Sequence, residues 1–272
     1  MRALLTFILT LYLLTSCKDN AEESEESNAI LTKGTPIINY AVINAFPHDT
    51  SLFTEGFLVH NGQLFESTGS PEDVVNTKSL IGIVDLKTGK IDKKVEIDKT
   101  KHFGEGIVFF KDKLYQLTYK SQIGFIYDSK SFKQIGKFTY SNLEGWSLTT
   151  NGKDLIMSDG TETLTFLSPD NLKPIKTLRV TNNGLPLKNL NELEYIKGFI
   201  YANVWTTNYI AKIDTSNGKV VGKLDLSSLN NEAKNKNPNA DVLNGIAYDS
   251  ISNKIYVTGK LWSNIYQIDF TH

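Results

Sequence analysis

Apolar and polar residues alternate with a period of two along most of the chain, and long amphipathic helical patterns are almost absent. The alternating runs are rich in β-branched and aromatic residues, which favours strands. Five of them follow a short polar turn and begin at Asn61, Lys111, Asn151, Ile196 and Ser252. A second alternating run lies downstream of each, at Ile81–Ile91, Ile123–Ile135, Leu164–Ile175, Tyr209–Val221 and Asn264–Phe270. The pattern predicts an all-β protein of strand pairs joined by polar turns.

The strand pairs recur at roughly every 40 to 55 residues, the period of propeller blades rather than of helical solenoids. Five such units predict a five-bladed β-propeller. A β-sandwich is the structural alternative, although a sandwich need not repeat its motifs. An earlier alternating run, Ile37–Phe46, is predicted to pair with the last blade and to close the ring.

A polar residue recurs just ahead of the first run of each unit, at Glu55, Glu105, Glu144, Asn191 with Glu192, and Asn244. Because the innermost strand of each propeller blade lines the central channel, these positions are predicted to converge on one ring. Such a ring suits a catalytic site, a calcium site or a structural plug. Crowded carboxylates raise one another's pKa, which suits general acid–base chemistry near neutral pH.

Glu105 lies between two glycines at the start of an apolar run (HFGEGIVF), a sequence that suits a tight backbone and close approach by another molecule. The alternative for a single glutamate is a turn acid bonded to backbone amides, but independent turn acids have no reason to repeat in register. Trp146, Trp205 and Trp262 lie beside the repeated polar motifs, which indicates a lined pocket. Core packing is an equal alternative for Trp262, and a solvated rim charge is the alternative for Lys260.

The chain begins with a positive Met1–Arg2 and an apolar run, Ala3–Leu14, that is too short to span a bilayer comfortably but suits a signal peptide. Leu14–Cys17 (LTSC) resembles the bacterial lipoprotein box, in which the cysteine is lipidated and becomes the mature N-terminus. An ordinary signal peptide with an incidental cysteine is the alternative.

We therefore predict a lipoprotein signal peptide over 1–16, lipidation at Cys17, a disordered acidic tether over 17–35 and the propeller over 36–272. This organisation predicts an extracytoplasmic protein, on the periplasmic face or the cell surface, that meets the membrane only through its lipid anchor.

Composition narrows the function classes. The formal net charge is -1 and neither sign clusters in the predicted propeller, so no nucleic-acid partner is expected. The histidines show no ligand spacing, so no metal site is predicted from them; they are His48, His60, His102 and His272. A single cysteine excludes structural disulfides. Glycine-rich phosphate loops and nucleophile elbows are missing. A closed propeller protects its edge strands, so we expect a monomer.

Eleven strings that occur in order over Phe46–Phe270 together resemble the plant-and-bacterial type of glutaminyl-peptide cyclotransferase, also called glutamine cyclotransferase. They are FPHDTSLFTEGF, LFESTG, FGEGI, LYQLTYK, GFIYD, EGWSLT, LIMSDG, LNELEYI, YANVWTT, VLNGIAYD and VTGKLW. The resemblance implies a five-bladed propeller that converts the N-terminal glutamine of peptides or proteins to pyroglutamate, releases ammonia and requires no cofactor.

By that resemblance, Glu105 is the catalytic proton carrier, Asn191 and Lys260 hold the substrate, and Trp146 and Trp205 pack on the glutamine side chain. Two further substrate-binding positions depart from the family. Glu55 stands where the family usually has glutamine, and Tyr119 stands where many members have tryptophan. Thr206 departs similarly from the plant members, which carry glutamine there.

Two alternative functions remain open on the sequence. A non-enzymatic, lipid-anchored propeller would bind a peptide or a sugar through the same pocket. A calcium-dependent, lactonase-like hydrolase would use the ring of carboxylates and amides as calcium ligands, and chelators would inhibit it. A structural calcium ion in a cyclotransferase is also left open. The animal-type enzyme of the same activity is a zinc protein of another fold, and the missing ligand spacing disfavours it.

Overall fold

The computed structural model describes residues 34–272. The predicted signal peptide, the lipidation site Cys17 and the predicted tether as far as residue 33 lie outside the described residues. Thr35 is buried, and its Oγ1 accepts a hydrogen bond of 2.6 Å from Asn182 Nδ2. Over the described range, no helix is long and apolar enough to cross a membrane.

The described residues form five four-stranded antiparallel sheets, which are the blades of a propeller. The chain enters through β1 (Ala41–Pro47). Blade 1 contains β2 (Phe53–His60), β3 (Gln63–Gly69), β4 (Leu80–Val84) and β5 (Ile91–Glu96). Blade 2 contains β6 (Gly104–Phe110), β7 (Lys113–Thr118), β8 (Ile123–Asp128) and β9 (Gln134–Thr139). Blade 3 contains β10 (Ser147–Thr150), β11 (Leu155–Ser158), β12 (Thr163–Leu167) and β13 (Pro174–Arg179).

A short hairpin of β14 (Thr181–Asn182) and β15 (Leu185–Pro186) leads to the fourth sheet. Blade 4 contains β16 (Leu190–Ile196), β17 (Phe199–Val204), β18 (Tyr209–Asp214) and β19 (Val220–Asp225). The helix α1 (Ser227–Lys236) follows. Blade 5 contains β20 (Leu243–Asp249), β21 (Lys254–Gly259) and β22 (Asn264–Asp269), with β1 as its outer strand. The five-bladed propeller predicted from the repeat is confirmed.

The ring closes where β1 pairs with β22, with Ala41 opposite Asp269. Just after β1, His48 Nδ1 lies 2.9 Å from the carbonyl oxygen of Trp262 in blade 5, and Nε2 lies 2.9 Å from Glu66 Oε2 in blade 1. Burial by itself lowers the pKa of His48, but the charge and hydrogen bond of Glu66 hold it above the ordinary value. A buried ion pair therefore joins the first blade to the last.

The order of strands within a blade differs from the prediction in one respect. The runs that we interpreted as first strands are the second strands β3, β7, β11, β17 and β21. The polar motifs ahead of them are themselves part of the innermost strands or lead into one. In β2, β6, β16 and β20 the pairing register shifts at the motif. A bulge interrupts the alternation of inward and outward side chains. For this reason the period-two pattern did not predict the innermost strands.

Each innermost strand has a free edge toward the channel, and in β2, β6, β16 and β20 side chains of other blades accept hydrogen bonds from backbone N–H groups. The N–H of Leu193 in blade 4 donates to Ser147 Oγ of blade 3 at 3.0 Å. The carboxyl of Glu192 accepts from the N–H of Ile246 at 2.8 Å and from that of Phe57 at 3.3 Å. Glu192 thus links blade 4 to blades 5 and 1 across the centre, because an unpaired buried N–H is costly.

Apolar side chains fill the spaces between neighbouring blades. Between blades 4 and 5, Leu229 and Ala233 of α1 pack in one cluster with Trp262, which is fully buried. The indole Nε1 of Trp262 donates to the carbonyl oxygen of Asp241 at 2.9 Å. Of the two interpretations of Trp262, core packing is the one that the structure supports.

Glycines allow the innermost strands to approach one another backbone to backbone. A Cβ on Gly56 of blade 1 would lie 2.9 Å from the Cα of Gly106 in blade 2. A Cβ on Gly106 would lie 2.5 Å from the Cα of Ser147 in blade 3. Neither neighbour can move away without displacing its strand.

We expect Gly106→Ala to lower the free energy of unfolding by about 3 kcal/mol or more, because the added methyl meets backbone atoms in the tightly packed centre. Gly136→Ala in the outer strand β9 is the matched control, since its Cβ would lie 3.4 Å from Ile126 Cδ1, an ordinary contact. Urea unfolding of both variants measures the difference. Equal stabilities would contradict the packing of the central strands described above.

Candidate active site

All seven side chains that the sequence predicts for catalysis or substrate binding line one cavity of about 250 Å³ at one mouth of the channel. They come from all five blades, and they are Glu55, Glu105, Tyr119, Trp146, Asn191, Trp205 and Lys260. The structure shows that these side chains are neighbours; their roles remain predictions.

A larger cavity of about 440 Å³ is lined by residues near the other ends of the innermost strands. The carboxyl that lines it, Glu194, already accepts a hydrogen bond of 2.8 Å from the backbone N–H of Tyr248. Burial raises the pKa of Glu194 to about 8. Glu194 thus links blades 4 and 5 as Glu192 does, and we place the candidate active site in the smaller cavity.

The strand register shows which residues form the predicted ring. Ile107 pairs with Gln116 in blade 2, and Leu148 pairs with Met157 in the same way in blade 3. Two residues earlier, Glu105 and Trp146 therefore hold equivalent positions. The ring consists of Glu55, Glu105, Trp146, Asn191 and Asn244.

Our prediction that Glu144 belongs to this ring was wrong, because the strand register of blade 3 places Trp146, two residues later, at the ring position. Glu144 lies outside the channel, accepts a hydrogen bond of 2.8 Å from Trp146 Nε1 and pairs with Lys120 Nζ at 3.4 Å. Glu192 is not part of the ring either. Asn191 holds the ring position in blade 4, and Glu192, the next residue, belongs to the next layer of the channel.

Glu55 forms a buried ion pair with Lys260, whose Nζ lies 2.7 Å from Glu55 Oε1. Asn244 Nδ2 donates to the other carboxyl oxygen of Glu55 at 3.4 Å, and Lys260 Nζ lies 4.5 Å from the centre of the Phe53 ring. Burial raises the pKa of Glu55 to about 7, although Lys260 opposes the shift. Glu55 therefore supplies the counter-charge for Lys260.

Glu105 is buried beside this pair. Burial raises its pKa well above the ordinary range, the negative charge of Glu55 raises it further, and Lys260 acts in the opposite direction. The neutral acid is therefore the favoured form of Glu105. Its two flanking glycines have a packing role, since a Cβ on Gly104 would lie 2.8 Å from the carbonyl oxygen of Thr68.

Aromatic rings form the walls of the cavity. The rings of Trp146 and Trp205 meet edge to face, with centroids 5.6 Å apart and planes at 82°. The ring of Tyr119 lies 5.9 Å from that of Phe103. A Cβ on Gly160 would lie 2.6 Å from Trp146 Cζ2, so the glycine lets the indole seat against the backbone. The result is an apolar pocket with a few polar groups, typical of a small-molecule site.

Asn191 is the polar group at the blade 4 position of the ring, and it is buried. Its Oδ1 has no hydrogen-bond partner among the described residues. Because buried polar atoms are nearly always bonded, an unpartnered acceptor in a cavity is available to a donor from a ligand or a water molecule. An amide N–H of a substrate is such a donor.

Sequence reasoning missed four residues that line the cavity, which are Phe53, Pro71, Phe103 and Asp241. Phe53 and Phe103 open the FTEG and FGEG motifs, so the motif alignment could have identified them. Asp241 lies two residues ahead of the LNGIAYD motif, within a polar loop that shows no periodicity. Within residues 34–272, no group of three or more His, Cys, Asp and Glu side chains is arranged to hold a metal ion.

The chain is similar to known proteins in sequence and in fold. The profile of the family described as glutamine cyclotransferase matches residues 9–270. A glutaminyl-peptide cyclotransferase of Arabidopsis thaliana is 39% identical over 246 residues, which cover 90% of this chain and 75% of the plant protein. The crystal structure of glutaminyl cyclase from Myxococcus xanthus superimposes with a TM-score of 0.76 and 32% identity, covering 86% of this chain and 98% of that one.

Removing the charge of Glu55 should lower the pKa of Glu105, because Glu55 contributes the largest charge effect on it. We expect Glu55→Gln to shift the titration of the Glu105 carboxyl carbon, followed by NMR, to lower pH. Glu144→Gln is the matched control, since Glu144 acts on Glu105 in the same direction but more weakly. A Glu105 titration that is unchanged in Glu55→Gln would show that the two carboxyls are not coupled.

Proposed function

The chain belongs to the glutamine cyclotransferase family and is an enzyme of the glutaminyl cyclase type; from that premise we propose that its cavity closes the N-terminal glutamine of peptides or proteins to pyroglutamate, with release of ammonia. The observation that carries the proposal is the position of Glu105, a buried carboxyl that favours its neutral form inside a small aromatic cavity.

The reaction demands little covalent chemistry from the protein. The α-amine attacks the γ-carboxamide carbon of the same residue, so the reactants are already tethered, and the enzyme needs to hold them in a reactive geometry. The new C–N bond forms within the substrate, and the bond to the side-chain nitrogen breaks. One proton must leave the attacking nitrogen, and one must reach the departing nitrogen.

Glu105 performs both proton transfers in this proposal. Its neutral carboxyl gives a proton to the departing nitrogen, which leaves as ammonia, and regains one from the attacking nitrogen. The carboxyl is thus returned to its starting form at the end of each turnover. A pKa held above the ordinary range suits this role, because proton transfer is most efficient when the pKa lies near the working pH.

The other lining residues hold the substrate. Asn191 Oδ1, which has no partner among the described residues, accepts a hydrogen bond from the γ-carboxamide. Lys260, held by Glu55 at 2.7 Å, faces the carboxamide oxygen and stabilises the negative charge that develops there. Trp146 and Trp205 pack on the methylene groups of the glutamine side chain, and the ring of Tyr119 forms a further wall of the cavity.

The cellular setting is a second part of the proposal. The apolar run Ala3–Leu14 and the LTSC string support export and lipidation of Cys17, with 17–35 as the tether of a monomeric propeller. Such a protein meets exported peptides and proteins at the periplasmic face or the cell surface. Its substrates would be chains that expose glutamine at their first position.

Glu105→Gln keeps the size of the side chain and removes its proton transfer. We expect the wild type to release ammonia from a peptide that begins with glutamine, and kcat of the variant to fall by about 100- to 10,000-fold. Ammonia assay and mass spectrometry of the peptide measure both. Glu162→Gln, at a surface ion pair with Arg179, is the control and should retain full activity.

A folded wild type that binds the peptide and releases no ammonia would favour the non-enzymatic alternative. A Glu105→Gln variant within a few-fold of the wild type would remove Glu105 from the mechanism, whatever the activity of the control.

We expect prolonged dialysis against a calcium chelator to leave kcat unchanged, because no step of the proposed reaction uses a metal ion. Re-addition of calcium to the dialysed enzyme is the companion measurement. Loss of activity that calcium restores would favour the calcium-dependent alternative if lactones are also hydrolysed. The same loss without lactone hydrolysis would indicate a structural calcium ion.

A further inference from the structure

Asp241 lies at the edge of the cavity, on the loop between α1 and β20. Its backbone is fixed on both sides. The N–H of Asp241 donates to the carbonyl oxygen of Lys260 at 2.9 Å, and its own carbonyl accepts from Trp262 Nε1 at 2.9 Å. The N–H of Lys260 returns a bond of 3.0 Å to the carbonyl of Val242. A buried tryptophan and a site lysine thus hold the main chain of Asp241 in place.

The side chain of Asp241 has a different environment from its main chain. The residue is exposed, and in the described part of the chain no lysine, arginine or histidine nitrogen lies within ion-pair distance of its carboxylate. Its negative charge nevertheless acts on the site, since it raises the pKa of Glu55. Hydrogen bonds thus fix the main chain of Asp241, while the residue is exposed and lines the cavity without an ion-pair partner among the described residues.

Asp241 is the acidic side chain of the cavity whose charge no neighbouring cation among residues 34–272 takes up. Lys260 lies 2.7 Å from Glu55 and is committed to that carboxyl, and Glu105 favours its neutral form. Glu144, near the cavity, pairs with Lys120. A ligand group that carries one positive charge would therefore find its counter-charge at Asp241.

We propose that Asp241 binds the α-ammonium group of the incoming substrate and so selects chains with a free N-terminus. This inference rests on the proposed function, since it assigns the charged end of the same substrate. An α-amine has a pKa of about 7.7 to 8, so most substrate molecules arrive as the ammonium form below that pH. A hydrogen-bonded carboxylate recognises this form, and a blocked N-terminus lacks it.

The assignment leaves the reacting groups as described. Asp241 holds the nitrogen end at the edge of the cavity, while Asn191 and Lys260 hold the carboxamide end deeper in it. Because Asp241 is exposed, the ammonium can lose its proton to solvent before attack. Asp241 is therefore a binding residue, and Glu105 remains the proton carrier within the reaction.

Asp241→Asn tests the proposal, since it keeps the shape of the side chain and removes its charge. With a glutamine peptide near pH 6.5, we expect KM to rise by about 10- to 100-fold and kcat to change little, as for loss of a charged hydrogen bond. Near pH 9, where the amine is mostly neutral, the difference in KM between variant and wild type should shrink to a few-fold. Asp73→Asn, an exposed acid two residues from the lining Pro71, is the matched control for general electrostatic effects.

Binding without turnover separates this proposal from the proposed function. Titration calorimetry on Glu105→Gln protein compares a glutamine peptide with its Nα-acetylated form, with and without Asp241→Asn. We expect the free peptide to bind at least about 10-fold more tightly than the acetylated one, and Asp241→Asn to abolish that preference. This result would support the inference even if the wild type released no ammonia.

The inference would be overturned by equal binding of the two peptides to the Glu105→Gln protein, or by a preference that survives Asp241→Asn. A kinetic effect of Asp241→Asn on kcat alone, with KM unchanged at both pH values, would also overturn it. Thermal unfolding of each variant checks that the fold is kept.

Discussion

The free edge of each innermost strand is the constraint on which the rest of the structure depends. Its backbone N–H groups face a channel that is closed to bulk water along much of its length, so other blades must supply acceptors. The hydroxyl of Ser147 accepts a hydrogen bond from the N–H of Leu193 in the next blade. The carboxyl of Glu192 accepts hydrogen bonds from the N–H groups of Ile246 and Phe57 across the centre. Glycines such as Gly106 let the strands approach closely enough for these bonds to form. The centre of the propeller is therefore held by side chains that bond to backbone.

The same constraint creates the cavity. Four innermost strands carry a bulge near one end, which interrupts pairing at the residues that line the cavity. Below this level the channel is filled by Glu192 and the glycines; above it the bulged residues surround an open space. Because both carboxyl groups are buried there, Glu105 favours its neutral form and Glu55 pairs with Lys260. The site is thus a consequence of how the ring is closed.

The repeat of strand pairs was sufficient to predict the blade count, and the resemblance to the cyclotransferase family identified the seven side chains that line the cavity. The register of the innermost strands could not be predicted, because the alternation of apolar and polar residues does not show which strands carry a bulge and that blade 3 has none. For that reason Glu144 was wrongly placed in the ring, where Trp146 stands. The Glu55–Lys260 pair could not be predicted either, since its partners are far apart in the chain and meet only through blade closure. Asp241 lies in a loop without periodicity, so only the folded chain reveals it.

The central claim is that the α-amine of the substrate, and no water molecule, attacks the side-chain carboxamide in this cavity. The most direct measurement is mass spectrometry of the peptide product formed in water enriched in the heavy oxygen isotope, with the substrate's side-chain nitrogen labelled. The account predicts that all labelled nitrogen leaves as ammonia and that the product contains no heavy oxygen. A product that begins with glutamate and carries heavy oxygen would show hydrolysis and would contradict the account.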